Sequence, residues 1–198
     1  MHYAGLGRDD CVFQILPKIL QLIKDRNIPL VIDADGLFYI NNNFNDIKGW
    51  NKVVLTPNAV EFVRLYKAVT GTAIDMSGAS DPANVGSLAA QLGNVTIFCK
   101  GKSDLISNGT HTVVCQESGS PRRCGGQGDL LSGVLATFLH WSTSDERAKY
   151  PTLASACAAS VLIKTIGRKA FESHKRGTLA TDMIPLIAPT FNQLLERN

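Results

Sequence analysis

The 198-residue sequence predicts an α/β fold with a mostly parallel sheet flanked by helices. Three short apolar runs, at residues 29–33, 52–57 and 94–99, each end in polar residues, which is typical of buried parallel strands. Segments with helical apolar spacing separate these runs, so that strand and helix alternate along the chain. The length suits one ordinary domain with its own core.

The first predicted helix covers residues 11–26, where apolar residues recur with helical spacing. Pro17 is awkward inside a helix, so we expect this helix to be kinked there or to begin late. Two further helices are predicted at residues 58–69 and 82–92, between the second strand and the third. Such helices would cover the faces of a parallel sheet.

A hairpin is predicted over residues 104–115, with Asn108-Gly109 as its turn, and it would add an antiparallel pair at one side of the sheet. The remaining predicted helices cover residues 128–141, 151–170 and 181–196. No internal repeat, low-complexity tract or second domain is recognised. We therefore expect a single domain over residues 1–198.

Composition argues against several classes of function. The formal net charge is +3 and no basic block is interleaved with aromatic residues, so nucleic acid is not an expected partner. No apolar run reaches the roughly 20 residues that a membrane helix needs, so no membrane partner is expected. The five cysteines lack C-x-x-C spacing and fit a reducing compartment. The four histidines share no metal-ligand spacing with acids or cysteines.

The stretch CGGQGDLLSG, at residues 124–133, gives the clearest indication of chemistry. Apolar residues after the glycines follow the spacing of one helix face. Glycines directly before a helix expose backbone N–H groups at its positive end, where phosphate binds. Asp129 lies in the first turn, where it could cap the helix or act as a general base beside the phosphate. The local pattern leaves both roles open.

Polar segments also follow the three predicted strands, at residues 33–36, 56–61 and 100–104. Open α/β sheets bind ligands beyond the carboxyl ends of their strands, so we expect these segments to meet there. Asp33 and Asp35 could bind a metal or exchange protons, but we favour a role in shaping the site and capping the following helix. The lysines of the third segment could contact phosphate or remain solvated.

Five motifs, in order, resemble the family of ATP-dependent NAD(P)H-hydrate dehydratases in the ribokinase-like superfamily. They are AGLGRDD, VIDADGL, LTPNAVEF, KGKSD and RRCGGQGDLLSG. The resemblance runs from about residue 4 to the C-terminus and implies a ribokinase-like fold. In that family several strands and helices precede the GLG turn, which lies here within the first residues. The resemblance therefore implies a domain that is incomplete at its N-terminus, with an exposed sheet edge or apolar surface.

The resemblance implies ATP-dependent removal of water from the S form of hydrated NADH or NADPH (NADHX or NADPHX). ATP phosphorylates the ring hydroxyl, phosphate then leaves, and the products are NADH or NADPH, ADP and phosphate. ATP would be a co-substrate and Mg²⁺ the cofactor that bridges its phosphates. We expect a cytoplasmic location because no targeting segment is recognised, although mitochondrial forms occur in the family. A homo-oligomer is compatible with the resemblance.

The resemblance also implies roles for particular residues. Asp129 would take the hydroxyl proton, Glu61 would help to place Mg²⁺ through water, and Asn58 would assist. Backbone N–H groups of the glycine turn would hold the transferring phosphoryl group. The residues expected to bind ATP are Lys100, Gly101, Lys102, Ser103, Asp104, Gly119, Ser120, Pro121, Arg122, Arg123, Cys124, Gly125, Gly126, Gln127 and Gly128. Those expected to bind the hydrated nucleotide are Gly5, Asn58, Ala59, Val60, Glu61, Phe62, Val63, Arg64 and Asp129.

Two alternatives stay open. A small-molecule kinase of the same superfamily would use the same aspartate and glycines but would leave a stable phosphorylated product. A noncatalytic nucleotide-binding fragment would bind ATP without turning it over.

Overall fold

A computed structural model describes residues 2–3 and 7–196, and within them six strands form one sheet in sequence order. The strands are β1 (His2–Tyr3), β2 (Leu30–Ile32), β3 (Val53–Leu55), β4 (Thr96–Cys99), β5 (Asp104–Ser107) and β6 (Thr112–Cys115). The helices are α1 (Asp10–Asp25), α2 (Asp35–Asn43), α3 (Ala59–Thr70), α4 (Pro82–Gln91), α5 (Gln127–Ser144), α6 (Pro151–His174), α7 (Ala180–Met183) and α8 (Ile187–Leu195). Short 3-10 turns cover Phe44–Asp46, Gly78–Ser80, Lys175–Gly177 and Ile184–Leu186.

The sheet is mostly parallel and ends in an antiparallel hairpin, as the sequence predicts. Strands β1 to β4 pair in parallel, and β5 pairs antiparallel with both β4 and β6. The predicted turn at Asn108-Gly109 joins β5 to β6, and the Asn108 side chain accepts hydrogen bonds from the backbone N–H groups of Thr110 and His111. The hairpin therefore gives the sheet its mixed character.

The core lies on both faces of the sheet because successive strand residues face opposite sides. In β2, Leu30 and Ile32 join a cluster with residues of α1 to α4, whereas Val31 joins a cluster with residues of α5 and α6. All three β2 side chains are buried, which explains why the parallel strands have continuous apolar runs instead of an alternating pattern. The molecule is thus a three-layer α/β/α arrangement.

Some helix bounds differ from those predicted. Helix α1 begins at Asp10 and continues through Pro17, so the expected late start is wrong. Pro17 lies on the exposed side, and burial of Leu16, Leu20 and Ile23 favours the helix despite the backbone hydrogen bond that a proline removes. The helix predicted at residues 181–196 is divided into α7, a 3-10 turn and α8.

Apolar surface is exposed on α1, where the side chains of Ile15 and Leu22 are each about half exposed. These two residues are seven positions apart and therefore lie on the same side of the helix. None of the helices in the described part of the chain combines the length and the apolar composition needed to cross a bilayer.

Candidate active site

Four segments meet at the carboxyl edge of the parallel strands. The residues after β3 and β4 pair through an isolated bridge between Asn58 and Lys100. The Lys100 ammonium lies 2.8 Å from Asp33 Oδ1, at the end of β2. Ser132, on α5, donates its hydroxyl to Asp33 Oδ2 at 3.2 Å. The strand ends that the sequence singled out are therefore joined to the start of α5.

The start of α5 has the backbone geometry of an anion site. Gly126 precedes the helix with φ of 89°, and a Cβ there would lie 2.9 Å from Ala180 Cβ, so both conformation and space require glycine. The Leu130 N–H donates to the Gly126 carbonyl at 3.0 Å. This is the first backbone hydrogen bond of the helix, so the N–H groups of residues 127–129 have no partner within it. They can bind an anion at the positive end of α5.

Asp129 is available to a ligand. It is exposed, and its carboxylate makes no hydrogen bond or ion pair with any residue in the described ranges. Helix α5 has no side-chain cap. The capping role that the sequence left open for Asp129 is therefore not observed, and the free carboxylate beside the N–H groups suits a general base.

A cavity of about 600 Å³ lies next to this turn, between the loop after β4, the segment after β6, and helices α6 and α7. Its volume is in the range of small-molecule sites. The predicted ATP residues that line it are Gly101, Lys102, Ser103, Gly119, Ser120, Pro121, Arg123 and Gln127. The other lining residues are Gln116, Glu117, Ser118, Ile163, Lys164, Gly167 and Met183. The cavity thus joins two segments that lie apart in sequence and were both expected to bind ATP.

Several predicted ATP residues lie outside the lining, and two of them hold its walls together. Asp104 is buried and accepts a hydrogen bond from the Gly101 N–H at 2.9 Å and another from the Ser160 hydroxyl at 2.7 Å. Arg122 donates from Nε to the Thr178 carbonyl at 3.0 Å. The others outside the lining are Lys100, Cys124, Gly125, Gly126 and Gly128. Their contact with ATP stays a prediction.

The sequence interpretation missed Lys164, which closes the cavity wall from α6. Its ammonium lies 3.4 Å from Asp104 Oδ2 and donates to the Lys102 carbonyl at 2.7 Å. Gly101 in the same loop is tight, because a Cβ there would lie 2.7 Å from the Ser103 carbonyl oxygen. A lysine within the apolar run VLIKTIG, at residues 161–167, was the available signal, since a charge on a buried helix face needs a partner.

The motif N-x-x-E forms the start of α3. The Asn58 N–H donates to Glu61 Oε2 at 2.8 Å, and the Glu61 N–H donates to Asn58 Oδ1 at 3.0 Å, which is a complete capping box. Oxygen Oε1 of Glu61 has no hydrogen bond to the described residues. One free carboxylate oxygen fits a Mg²⁺ ion that keeps several waters and binds mainly to substrate phosphates.

The segment expected to bind the hydrated nucleotide divides between surface and core. Val60 and Arg64 are exposed, whereas Ala59 and Val63 pack against the core. Phe62 is completely buried, so its side chain belongs to the core. Gly5 lies outside the described residues. Contact between this segment and the substrate stays a prediction.

The favoured capping role of Asp33 and Asp35 is wrong, because α2 begins after Ala34 without a side-chain cap. Asp35 instead accepts hydrogen bonds from the Gly7 N–H at 3.2 Å and from Arg8 Nε at 3.0 Å. Asp33 forms the contacts to Lys100 and Ser132 described above. No cluster of three metal-ligating acids, histidines or cysteines occurs within the described ranges.

The five cysteines are free, which agrees with the absence of a disulfide framework in the sequence. Cys99 is buried in the core, and burial raises the pKa of its thiol to about 12. The neighbouring Cys157 thiol, opposed by burial, lowers the pKa of the Cys115 thiol. The imidazole of His111 packs on the Tyr150 ring with 4.4 Å between centroids, in a packing role.

A family model described as NAD(P)H-hydrate dehydratase matches residues 4–189. Curated relatives named ATP-dependent (S)-NAD(P)H-hydrate dehydratase include the Homo sapiens protein, 43% identical over 97% of this chain and 56% of its own length. The Ixodes scapularis protein is 41% identical over 96% of this chain and 64% of its own length. The Arabidopsis thaliana protein is 42% identical over 96% and 53%. The chain therefore spans 53–64% of the length of these relatives.

Solved structures confirm the expected fold. A ribokinase-like superfamily protein from Enterococcus faecalis matches with a TM-score of 0.73 at 22% identity, over 97% of this chain and 62% of its own. Hydroxyethylthiazole kinase from Pyrococcus horikoshii matches with a TM-score of 0.68 at 17% identity, over 93% of this chain and 68% of its own. At these identities the likeness concerns the fold alone.

Proposed function

The chain belongs to the NAD(P)H-hydrate dehydratase family, and on that premise we propose that it catalyses the ATP-dependent dehydration of the S form of hydrated NADH and NADPH. The observation that carries the proposal is the free carboxylate of Asp129 at the start of α5, beside a turn that presents backbone N–H groups and next to a nucleotide-sized cavity. A base, an anion site and a nucleotide site are the parts that phosphoryl transfer to a hydroxyl requires.

ATP would occupy the cavity with its phosphates toward the start of α5. Lys102, Arg123 and Lys164 line the cavity and supply positive charge to the phosphates. Ile163 and Met183 supply apolar surface for the adenine base. The backbone N–H groups of residues 127–129 would receive the terminal phosphoryl group, whose charge they stabilise without reorganisation.

Asp129 would accept the proton of the ring hydroxyl while the hydroxyl oxygen forms a bond to the terminal phosphorus and the bond to ADP breaks. The new phosphate ester is a better leaving group than hydroxide. Its C–O bond then breaks, the ring loses a proton, and the double bond of the reduced nicotinamide returns with release of phosphate. Mg²⁺, which Glu61 would help to hold through water, supplies charge neutralisation on the ATP phosphates.

The proposal is tested by the return of reduced-nicotinamide absorbance when the chain is mixed with hydrated NADH, ATP and Mg²⁺. We expect Asp129→Asn to lower kcat by about 100-fold or more, since a positioned base contributes about 10²–10⁴-fold. ATP affinity should change little, because the carboxylate does not line the cavity. Reactions without ATP and without Mg²⁺ serve as controls.

The outcome also separates the alternatives. Accumulation of a stable phosphorylated nucleotide would identify a kinase, and ATP binding without any turnover would identify a noncatalytic fragment. Full activity of the Asp129→Asn variant would show that Asp129 is not the base and that another residue accepts the hydroxyl proton.

A cytoplasmic location and a single domain over residues 1–198 belong to this proposal. The five free cysteines, including the exposed Cys11, are consistent with a reducing compartment. Two apolar clusters on opposite faces of one continuous sheet support a single folding unit.

A further inference from the structure

We propose that Asp33 is a positioning residue for phosphoryl transfer: its buried carboxylate joins the Lys100 ammonium to the first turns of α5 and so fixes the anion-binding turn and Asp129 relative to the strand ends. This inference rests on the proposed function and adds a residue to it. Asp33 would act through Lys100 and Ser132 and would not touch the substrate.

The contacts of Asp33 come from two elements, the segment after β4 and the first turns of α5. Oxygen Oδ1 pairs with the Lys100 ammonium at 2.8 Å, and Oδ2 accepts the Ser132 hydroxyl at 3.2 Å. Oδ2 is also close to the turn itself, because a Cβ built on Gly128 would lie 3.4 Å from it. Each oxygen therefore has its own partner, and one of them lies beneath the residue that precedes Asp129.

Burial makes this arrangement specific. The Asp33 side chain is 6% exposed and that of Lys100 is 23% exposed. A carboxylate this far from water needs its partners, and a charge-assisted bond is directional. Lys100 is further fixed through its backbone, since its N–H donates to the Pro57 carbonyl at 2.8 Å. The pair thus ties the ends of β2, β3 and β4 to α5 in one arrangement.

The position of the cluster explains why it should affect transfer more than ATP binding. Asp33 does not line the cavity, so its loss removes no direct contact that holds the nucleotide there. Ser132 lies three residues after Asp129, on the same side of α5. A shift of this turn would misalign the base and the phosphoryl donors, and a misplacement of about 1 Å can cost about 100-fold in rate.

The test is Asp33→Asn, which keeps the size of the side chain and removes its charge. We expect kcat to fall by about 10- to 100-fold, whereas the Kd of ATP, measured by titration calorimetry, stays within about threefold or becomes tighter. Lys100 keeps its charge in the variant and, without its counterion, is free to turn toward the phosphates. A purely structural role would weaken ATP binding together with kcat.

Asp46→Asn is the matched control. Asp46 is a partly buried aspartate that accepts the Tyr39 hydroxyl at 2.6 Å, outside the candidate site. We expect this variant to be less stable and to keep its kcat and its ATP affinity. A kcat of Asp33→Asn within about threefold of the parent chain, or parallel losses in kcat and ATP affinity, would overturn the inference.

Ser132→Ala carries the test if Asp33→Asn does not fold, because it removes one hydrogen bond and leaves the ion pair. A drop in kcat of about 3- to 10-fold with unchanged ATP affinity is expected, and an unchanged kcat would contradict the positioning role. Lack of turnover in the parent chain would refute the proposed function alone. The Asp33→Asn variant would then be judged by ATP affinity, and a tenfold weakening would overturn its positioning role.

Discussion

Two buried aspartates of this protein use the same kinds of partner in the candidate site. Each accepts the hydroxyl of a serine on a long helix and pairs with a lysine. Asp33 directly follows β2, and Asp104 is the first residue of β5. The two clusters are Asp33–Lys100–Ser132 and Asp104–Lys164–Ser160. We refer to them as the Asp33 cluster and the Asp104 cluster.

The clusters differ in what they hold. Lys164 lines the cavity and also donates to the Lys102 carbonyl, so the Asp104 cluster builds the nucleotide wall. Lys100 does not line the cavity, and the Asp33 cluster contacts the start of α5. The two clusters therefore have the same residue types and similar burial of the aspartate. What each cluster holds in place depends on the helix that carries its serine. The comparison predicts that the two clusters affect different kinetic constants.

Lys164→Met should give the largest effect on ATP binding. The variant keeps the length of the side chain but leaves the Asp104 carboxylate, 7% exposed, without its cation, and it releases the Lys102 carbonyl. We expect the Kd of ATP to rise by about 10- to 100-fold, or about 1.4–2.8 kcal/mol, with kcat at saturating ATP nearly unchanged. Titration calorimetry and steady-state kinetics measure the two quantities.

Lys169→Met is the matched control on the same helix. Lys169 donates to Thr190 and Gln193, away from the cavity, so its loss should leave ATP affinity unchanged. If Lys164→Met lowered kcat and spared ATP affinity, the assignment of the Asp104 cluster to the nucleotide wall would be wrong.

Replacing the serine of each cluster tests how much its hydrogen bond to the aspartate stabilises the folded protein. The Ser160 hydroxyl lies 2.7 Å from Asp104, whereas the Ser132 hydroxyl lies 3.2 Å from Asp33. The shorter hydrogen bond is the stronger of the two, so its loss should cost more stability. We expect Ser160→Ala to lower the free energy of unfolding by about 2–3 kcal/mol and Ser132→Ala by about 1–2 kcal/mol. Urea denaturation of both variants gives the order, and a reversed order would contradict the strength that the distances indicate.

Sequence patterns predicted the elements whose signal is local. Short β-branched runs predict the parallel strands, and Asn108-Gly109 predicts the turn of the hairpin. The existence and order of the strands could therefore be predicted. The glycine turn before α5 could also be predicted, because glycines directly precede a helical pattern of apolar residues. In the structure, Gly126 has a positive φ and lies close to Ala180, and both features require glycine. The bounds of α1 could not, since burial of one helix face outweighed the local penalty of Pro17.

The site could be predicted only where a motif is continuous in sequence. Gln127 and Asp129 follow from CGGQGDLLSG, but Lys164 and Met183 reach the cavity from helices that carry no motif. The partner of Asp33 is 67 residues away in sequence, and its serine is 99 residues away. A pairing at such separations depends on tertiary structure. The sequence therefore assigned Asp33 a general role in shaping the site, together with a local capping role that it does not have.

Ala34→Gly should give the smallest effect and addresses the backbone of the Asp33 cluster. Ala34 follows Asp33 with φ of 48° and ψ of −115°, where a side chain is strained by about 1–2 kcal/mol. Glycine removes this strain, but the greater entropy of the unfolded chain costs about 0.4–1 kcal/mol, so we expect a net stabilisation between zero and about 1.6 kcal/mol in urea denaturation. The kcat should change little if the contacts of Asp33, and not the strained turn, hold the arrangement. A large fall in kcat with intact stability would instead assign the positioning role to the stiffness of the turn at Ala34.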